Sequence, residues 1–158
     1  MKGQSKIIAT LNELLADELT AINEYIVHAE MCANWGYSRL HDMIEKRAIG
    51  EMKHAESLIE RILFLEGLPI VSRLKEIHVG PDVAQQLEND RKAEELAIKS
   101  YNAATRLAAE SDDNGTRELL ESIVKDEEEH IDELEAQLDQ IRQTGIENYL
   151  AEQIGKSG

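Results

Sequence analysis

Apolar residues recur along this chain at intervals of three and four, the period of a helix that buries one face, and the recurrence lapses at only a few places. Ser5 stands as a cap ahead of a first stripe of Ile8, Leu11, Leu15, Leu19, Ile22 and Ile26, and Asn34-Trp35-Gly36 follows as a stop. The pattern predicts a helix over 5–35. Ser38 caps a second over 39–66, through Leu40, Ile44, Ala48, Ala55, Leu58, Ile62 and Leu65, closed by Gly67 and Pro69. From Leu68 to Pro81 the periodicity is absent for longer than a tight turn between antiparallel neighbours needs, so this connection is expected to traverse the length of the molecule. A third helix over 82–110 ends at the turn Asp112-Asp113-Asn114-Gly115. A fourth covers 116–144 before Gly145, and a brief amphipathic tail at 146–154 adds a short fifth. Two hairpins joined by a long crossover make an all-α, antiparallel four-helix bundle, one domain over 1–158, with its halves related by a pseudo-twofold axis. The Asp112 turn lacks the ligand pattern of a calcium loop and reads as a plain loop.

Composition agrees with helices and narrows the partners. A chain of 158 residues with 42% apolar side chains can bury a proper core, and two prolines with 4% aromatics suit helices. The net charge of −15 disfavours nucleic acid, which is bound through clustered Lys and Arg, and favours small cations; an ordinary solvated surface accounts for the same acidity. Cys32 is the only cysteine, which excludes a disulfide framework or a thiolate cluster and fits a reducing cytoplasm. Without an apolar run of membrane-spanning length, and with Glu13 and Asp17 in the first helical stretch, neither export nor membrane insertion is expected.

An internal repeat is laid over these helices. Glu18, Tyr25, Glu51 and His54 recur as Glu94, Tyr101, Glu127 and His130, each displaced by 76 positions. Among 23 glutamates, a doubled Glu-x-x-His alone would arise by chance roughly one time in six. Tyrosine occurs only four times, and its matched placement lowers the coincidence to about one in a few hundred. Glu51 with His54, and Glu127 with His130, each project from one helix face within reach of a shared ion. Glu18 interrupts the apolar stripe between Leu15 and Ile22, and Glu94 the one between Leu87 and Ile98. Carboxylates on a core face are costly unless a cation compensates them. Four carboxylates neutralise two divalent ions and each ion receives one imidazole, an oxygen-rich set that favours iron or manganese over zinc. The competing account is surface glutamates with two incidental histidines. Tyr25 and Tyr101, two turns past their glutamates, either hydrogen-bond a bridging carboxylate, or donate an electron during oxygen chemistry, or pack in the core with a satisfied hydroxyl. His28, His41 and His78 have no matched partner and read as ordinary helix or loop residues outside the site.

Glu plus Glu-x-x-His on a bundle is the ferritin-like carboxylate pattern. Longer runs make the chain resemble the bacterioferritin family over essentially its whole length: Met1-Lys2-Gly3, Asn34-Trp35-Gly36, Glu51-Met52-Lys53-His54-Ala55, Arg61 through Pro69, Asp126 through Asp132, and Glu147-Asn148-Tyr149-Leu150. The resemblance implies a cytoplasmic iron-storage subunit that assembles with its own copies into a hollow shell of twenty-four, built of twofold dimers and completed by the fifth helix. It also implies a ferroxidase centre in which Glu18, Glu51, His54, Glu94, Glu127 and His130 bind two Fe(II), Glu51 and Glu127 bridging and Tyr25 alongside. Oxygen or hydrogen peroxide would be the oxidant, ferric mineral the product, and a ferredoxin an electron donor for release. Met52 follows Glu51 by about 100° of helix rotation and so leaves the metal face. In the family a methionine at this place, one from each of two subunits, ligates haem b at the twofold interface. A methionine packed at a helical interface explains the residue equally well without the family.

Departures are visible too. Lys46 and Gly50 stand where many of the family carry His and Asp as a cavity-facing accessory iron site, which argues against that site here. Glu133 replaces a common Trp, and Ile26 and Val27 a usual Phe-Leu, but no metal ligand is lost. Two alternatives remain open: a rubrerythrin-like di-iron peroxidase, whose extra four-cysteine domain Cys32 alone does not supply, and a non-catalytic, haem-carrying or structural shell subunit.

Overall fold

The computed structural model describes residues 1–155 and contains, among them, helices and no strand: α1 (Ser5–Asn34), α2 (Ser38–Phe64), α3 (Val83–Glu110), α4 (Asn114–Thr144) and α5 (Ile146–Ala151). Cross-helix bonds fix the directions. Tyr25 reaches Glu94 while Tyr101 reaches Glu18, so α1 and α3 run antiparallel; Arg61 reaches Asp113 while His54 reaches Asp126, so α2 and α4 do as well. Each hairpin partner is also antiparallel, which yields the four-helix bundle expected from the periodicity.

The crossover between α2 and α3 is strapped along α1 in register. Asn12 bonds Leu68 and Ile70, Arg73 pairs with Glu13, the Lys75 backbone donates to Thr20, the His78 backbone to Glu24, and the Gly80 backbone to His28. Polar side chains on α1 thus satisfy backbone groups of a segment that has no helical ladder of its own. At the far end, Arg61 on α2 bonds Thr116 and Asp113 and lies against Gly115, where a Cβ would come within 2.6 Å of its guanidinium. Glycine at that position lets the second hairpin close on the first.

Two apolar clusters fill the bundle, one containing Leu11, Leu15, Leu58, Ile62 and Leu120, the other Leu40, Ile44, Leu87 and Leu134. Each fully buried leucine contributes about 1.5–3 kcal/mol. The repeated glutamates lie between these clusters on each of the four long helices, Glu18 after Leu15, Glu51 before Ala55, Glu94 after Leu87 and Glu127 after Ile123.

Several boundaries differ from the sequence expectation. Gln4 and Tyr37, not Ser5 and Ser38, occupy the N-cap positions of α1 and α2, and neither makes a side-chain cap bond. Asp82 and Asp113 do cap, accepting from the backbone N–H of Gln85 and Thr116. With Asp112 in the left-handed region (φ 58°) and Asp113 as cap, α4 starts at Asn114 rather than Thr116. The fifth helix stops at Ala151, short of Ile154. Ile26 is exposed because Tyr25, one position earlier, takes the inward direction.

Candidate metal centre

Each of the four long helices delivers one carboxylate to the polar layer: Glu18, Glu51, Glu94 and Glu127, none more than 2% exposed. One turn further along α2 and α4, His54 and His130 project from the same faces. His54 Nδ1 lies 2.8 Å from Glu127 Oε1, 3.6 Å from Glu51 Oε2 and 3.7 Å from Glu18 Oε1. His130 Nδ1 lies 2.8 Å from Glu51 Oε1, 3.5 Å from Glu94 Oε1 and 4.0 Å from Glu127 Oε1. Two overlapping sets result, Glu18/Glu51/His54/Glu127 and Glu51/Glu94/Glu127/His130, each with its ligand atoms within 4.8 Å of one another. Glu51 and Glu127 belong to both.

These atoms crowd together without forming a hydrogen-bond network. Glu18 Oε2, Glu51 Oε1, Glu94 Oε2, both oxygens of Glu127 and Nδ1 of both histidines are buried and lack a properly directed partner. An unsatisfied buried polar group costs about 1–3 kcal/mol, more when charged, so seven such atoms in one pocket fit a group that must be supplied from outside. The acid-rich, nitrogen-poor donor set suits iron or manganese.

Protons occupy the pocket in the metal-free state. Burial, reinforced by Glu51, holds the Glu18 carboxyl well above the usual carboxylate range; burial, reinforced by Glu94, does the same to Glu127. At Glu51 burial is outweighed by the close approach of Glu18 and the two imidazoles, which hold its carboxyl well below that range. Burial opposes charge on His54 and His130, yet the carboxylates around them prevail and push both upward, His130 to about 9. A divalent ion must displace such protons to bind.

The two tyrosines are cross-wired. Tyr25 donates to Glu94 Oε1 at 2.6 Å and Tyr101 to Glu18 Oε1 at 2.5 Å, so each phenol holds the carboxylate of the other half of the repeat. Glu94 belongs to one ligand set and Glu18 to the other, so neither phenol bonds a carboxylate common to both; each hydroxyl is satisfied by a carboxylate that belongs to one set only. Antiparallel pairing of α1 with α3 is the cause. A cleft of about 450 Å³ opens between α1, α3 and the crossover, with Glu18, Glu51 and Glu94 on its floor and Asp17, Lys75 and Lys92 among its lining.

The remaining histidines separate. His41 bonds the Ala29 carbonyl, and His78 lies exposed beside Glu76. His28 is not an ordinary helix residue: it is fully buried, pairs with Asp90 at 2.9 Å and accepts from the Gly80 backbone, because the crossover covers it. Sequence reasoning also passed over Asp126, whose Oδ2 lies 2.8 Å from His54 Nε2. Its place immediately before Glu127 in the repeat was the available signal. Met52 is 46% exposed on α2 while its neighbour Glu51 is buried, as the helix rotation requires.

A family profile for the ferritin-like domain matches residues 8–144. Bacterioferritin of Mycolicibacterium paratuberculosis is 39% identical to this chain over 156 residues, 99% of the chain and 98% of the relative. This chain belongs to the bacterioferritin family. Bacterioferritins of Brucella melitensis and Streptomyces coelicolor are each also 39% identical, over 94% and 96% of this chain and 92% and 90% of their own lengths. The bacterioferritin likeness therefore spans every helix that carries a residue of the metal centre.

Proposed function

We propose that the chain is an iron-storage subunit with ferroxidase activity. Glu18, Glu51, His54, Glu94, Glu127 and His130 bind two Fe(II) ions as substrate, with Glu51 and Glu127 spanning both. Each ion gives up one electron, and the pair reduces oxygen to hydrogen peroxide, or hydrogen peroxide to water, without releasing a one-electron radical. The Fe(III) formed accumulates as ferric mineral. The observation that carries this reading is the pair of overlapping ligand sets, in which seven buried donor atoms have no hydrogen-bond partner.

The protein's own groups have definable tasks in this scheme. The cleft admits the cation and the oxidant. Tyr25 and Tyr101 fix Glu94 and Glu18 by charge-assisted hydrogen bonds, which is the part Tyr25 takes in this scheme. Protons held by the carboxyls and imidazoles leave as the ions enter.

Assembly and haem belong to the same proposal. Met52 and Ile49 on α2, with Ile26 and Val27 on α1, leave exposed apolar side chains on the first hairpin, which suit a second copy across a twofold axis of a twenty-four-subunit shell. Paired Met52 thioethers would hold haem b there, supplying a path for electrons, from a donor such as a ferredoxin, to the stored iron. The setting is the cytoplasm; among the described residues no helix is long and apolar enough to cross a membrane.

Fe(II) added to the metal-free protein under oxygen should be oxidised in a fast phase that saturates at two ions per chain. Slow, unsaturable uptake would favour a structural shell subunit instead. A sharp reduced haem band that disappears in Met52→Leu checks the haem, and elution near the 17.8 kDa of one chain would refute the shell.

A further inference from the structure

The displacement of 76 residues that relates the two ligand sets also relates what stands behind their histidines. Asp126 directly precedes Glu127, and it accepts a hydrogen bond from His54 Nε2 at 2.8 Å. The repeat assigns the corresponding place, directly before Glu51 and behind His130, to Gly50. The structure agrees with that correspondence: a Cβ on Gly50 would sit 3.4 Å from His130 Nε2. Gly50 has no side chain to offer, and among the described residues His130 Nε2 makes no hydrogen bond, its ion-pair distances all running from Nδ1. The His130 side chain is also the more exposed of the two, 17% against 7%.

We propose that the two metal positions are unequal, the ion held by His54 and Glu18 being bound at least about 10-fold more tightly than the ion held by His130 and Glu94. This rests on the two-metal reading above. The asymmetry follows from what a carboxylate does on the far side of a ligating imidazole. Asp126 keeps the proton on His54 Nε2, so an entering ion displaces only a proton at Nδ1 and meets there a more basic lone pair on a ring already held in one orientation. At His130 the ion itself must select the tautomer and order the ring, and that cost is subtracted from its binding. Asp126 is therefore a positioning residue acting through His54.

Anaerobic titration of the metal-free protein with Co(II), followed by visible absorption and calorimetry, tests the inequality. Two steps of one ion each are expected, with dissociation constants at least about 10-fold apart. In Gly50→Asp the new Cβ fits at near van der Waals distance and its carboxylate can reach His130 Nε2, so the weaker step should tighten about 10- to 100-fold and the tighter step stay put. Gly50→Ala gives the helix the same relief from glycine without a carboxylate; it should raise thermal stability and leave the separation of the steps unchanged. Asp126→Ala should weaken the tighter step about 10- to 100-fold, and Asp126→Asn, which still offers an acceptor, should recover part of it. Two equal steps in the unmodified protein, or equal tightening by Gly50→Ala and Gly50→Asp, would overturn the inference alone. Fewer than two ions per chain would overturn the two-metal reading with it.

Discussion

Two groups of buried acids and histidine share α1 and α3, about one turn apart on α3, and they meet the cost of buried charge in opposite ways. Glu24, His28 and Asp90 lie as close together as the ligands of the metal centre. There, however, the protein has supplied its own cation. Arg47 pairs with Asp90 Oδ2 at 3.1 Å and stacks over the Tyr25 ring, while His28 Nδ1 donates to Asp90 Oδ1 at 2.9 Å. The other His28 nitrogen accepts from Gly80, so neither ring nitrogen is left for an ion. Glu24 is pushed up to about 8, by burial first and then by Asp90, and is neutral at pH 7. Its Oε2 and two Arg47 nitrogens go without a partner, but a protonated carboxyl and a guanidinium are poor metal ligands. Closeness of acids and histidine thus does not make a metal site. Orphaned ligand atoms compensated only by displaceable protons, with no permanent cation beside them, do.

The largest expected effect probes that contrast from the compensated side. Arg47→Ala strands Asp90 without its cation and should destabilise the fold by about 3–5 kcal/mol in denaturant unfolding, while two Co(II) still bind per chain. Loss of metal binding with stability intact would reverse the roles assigned to the two groups.

Glu127→Gln attacks the other side. It removes a ligand common to both sets and should slow the fast phase of Fe(II) oxidation on the order of 100-fold, with no loss of stability in the metal-free protein, since a strained buried acid is replaced by a neutral isostere. The same variant should lose the thermal stabilisation by added divalent metal that the unmodified protein shows, about 2.7 kcal/mol per site at a hundredfold excess over the dissociation constant.

A pH series sharpens the comparison further. Glu24 ionises near its ordinary 4.5 in the unfolded chain and about 8 in the fold, so the folded protein binds more protons between those values. Its contribution to stability is complete below pH 4.5 and is lost as pH rises through 8, a change on the order of a few kcal/mol. Glu24→Gln should flatten that slope in unfolding curves, and an unchanged slope would show that another group causes it. Smallest is the loss of the α3 cap. Asp82→Ala should cost about 1 kcal/mol and leave the metal stoichiometry alone, which separates general weakening of the helix bearing Asp90 and Glu94 from damage to either group.

Much of the molecule was written in spacing along the chain. A three- and four-residue apolar period is a statement about one helix face, so the four long helices and the crossover were readable within a few residues. Glu-x-x-His occupies one face of a helix whatever lies nearby, and the internal repeat marked the same six side chains that converge in the bundle. Helix caps were read less well, because Ser5 and Ser38 have the right chemistry but the chain turns at Gln4 and Tyr37.

What no spacing could show were relations between segments far apart in sequence. The burial of His28 depends on a crossover that lies over it 52 residues later, and the neutrality of its surroundings depends on Arg47 from another helix. The exchange of tyrosines between the halves, and the difference between His54 backed by Asp126 and His130 backed by Gly50, arise only when antiparallel helices bring opposite ends of the repeat together. Local geometry is set by a few covalent bonds and repeats wherever the pattern repeats. The partner of a buried polar atom is set by packing, and that is known only once the helices have met.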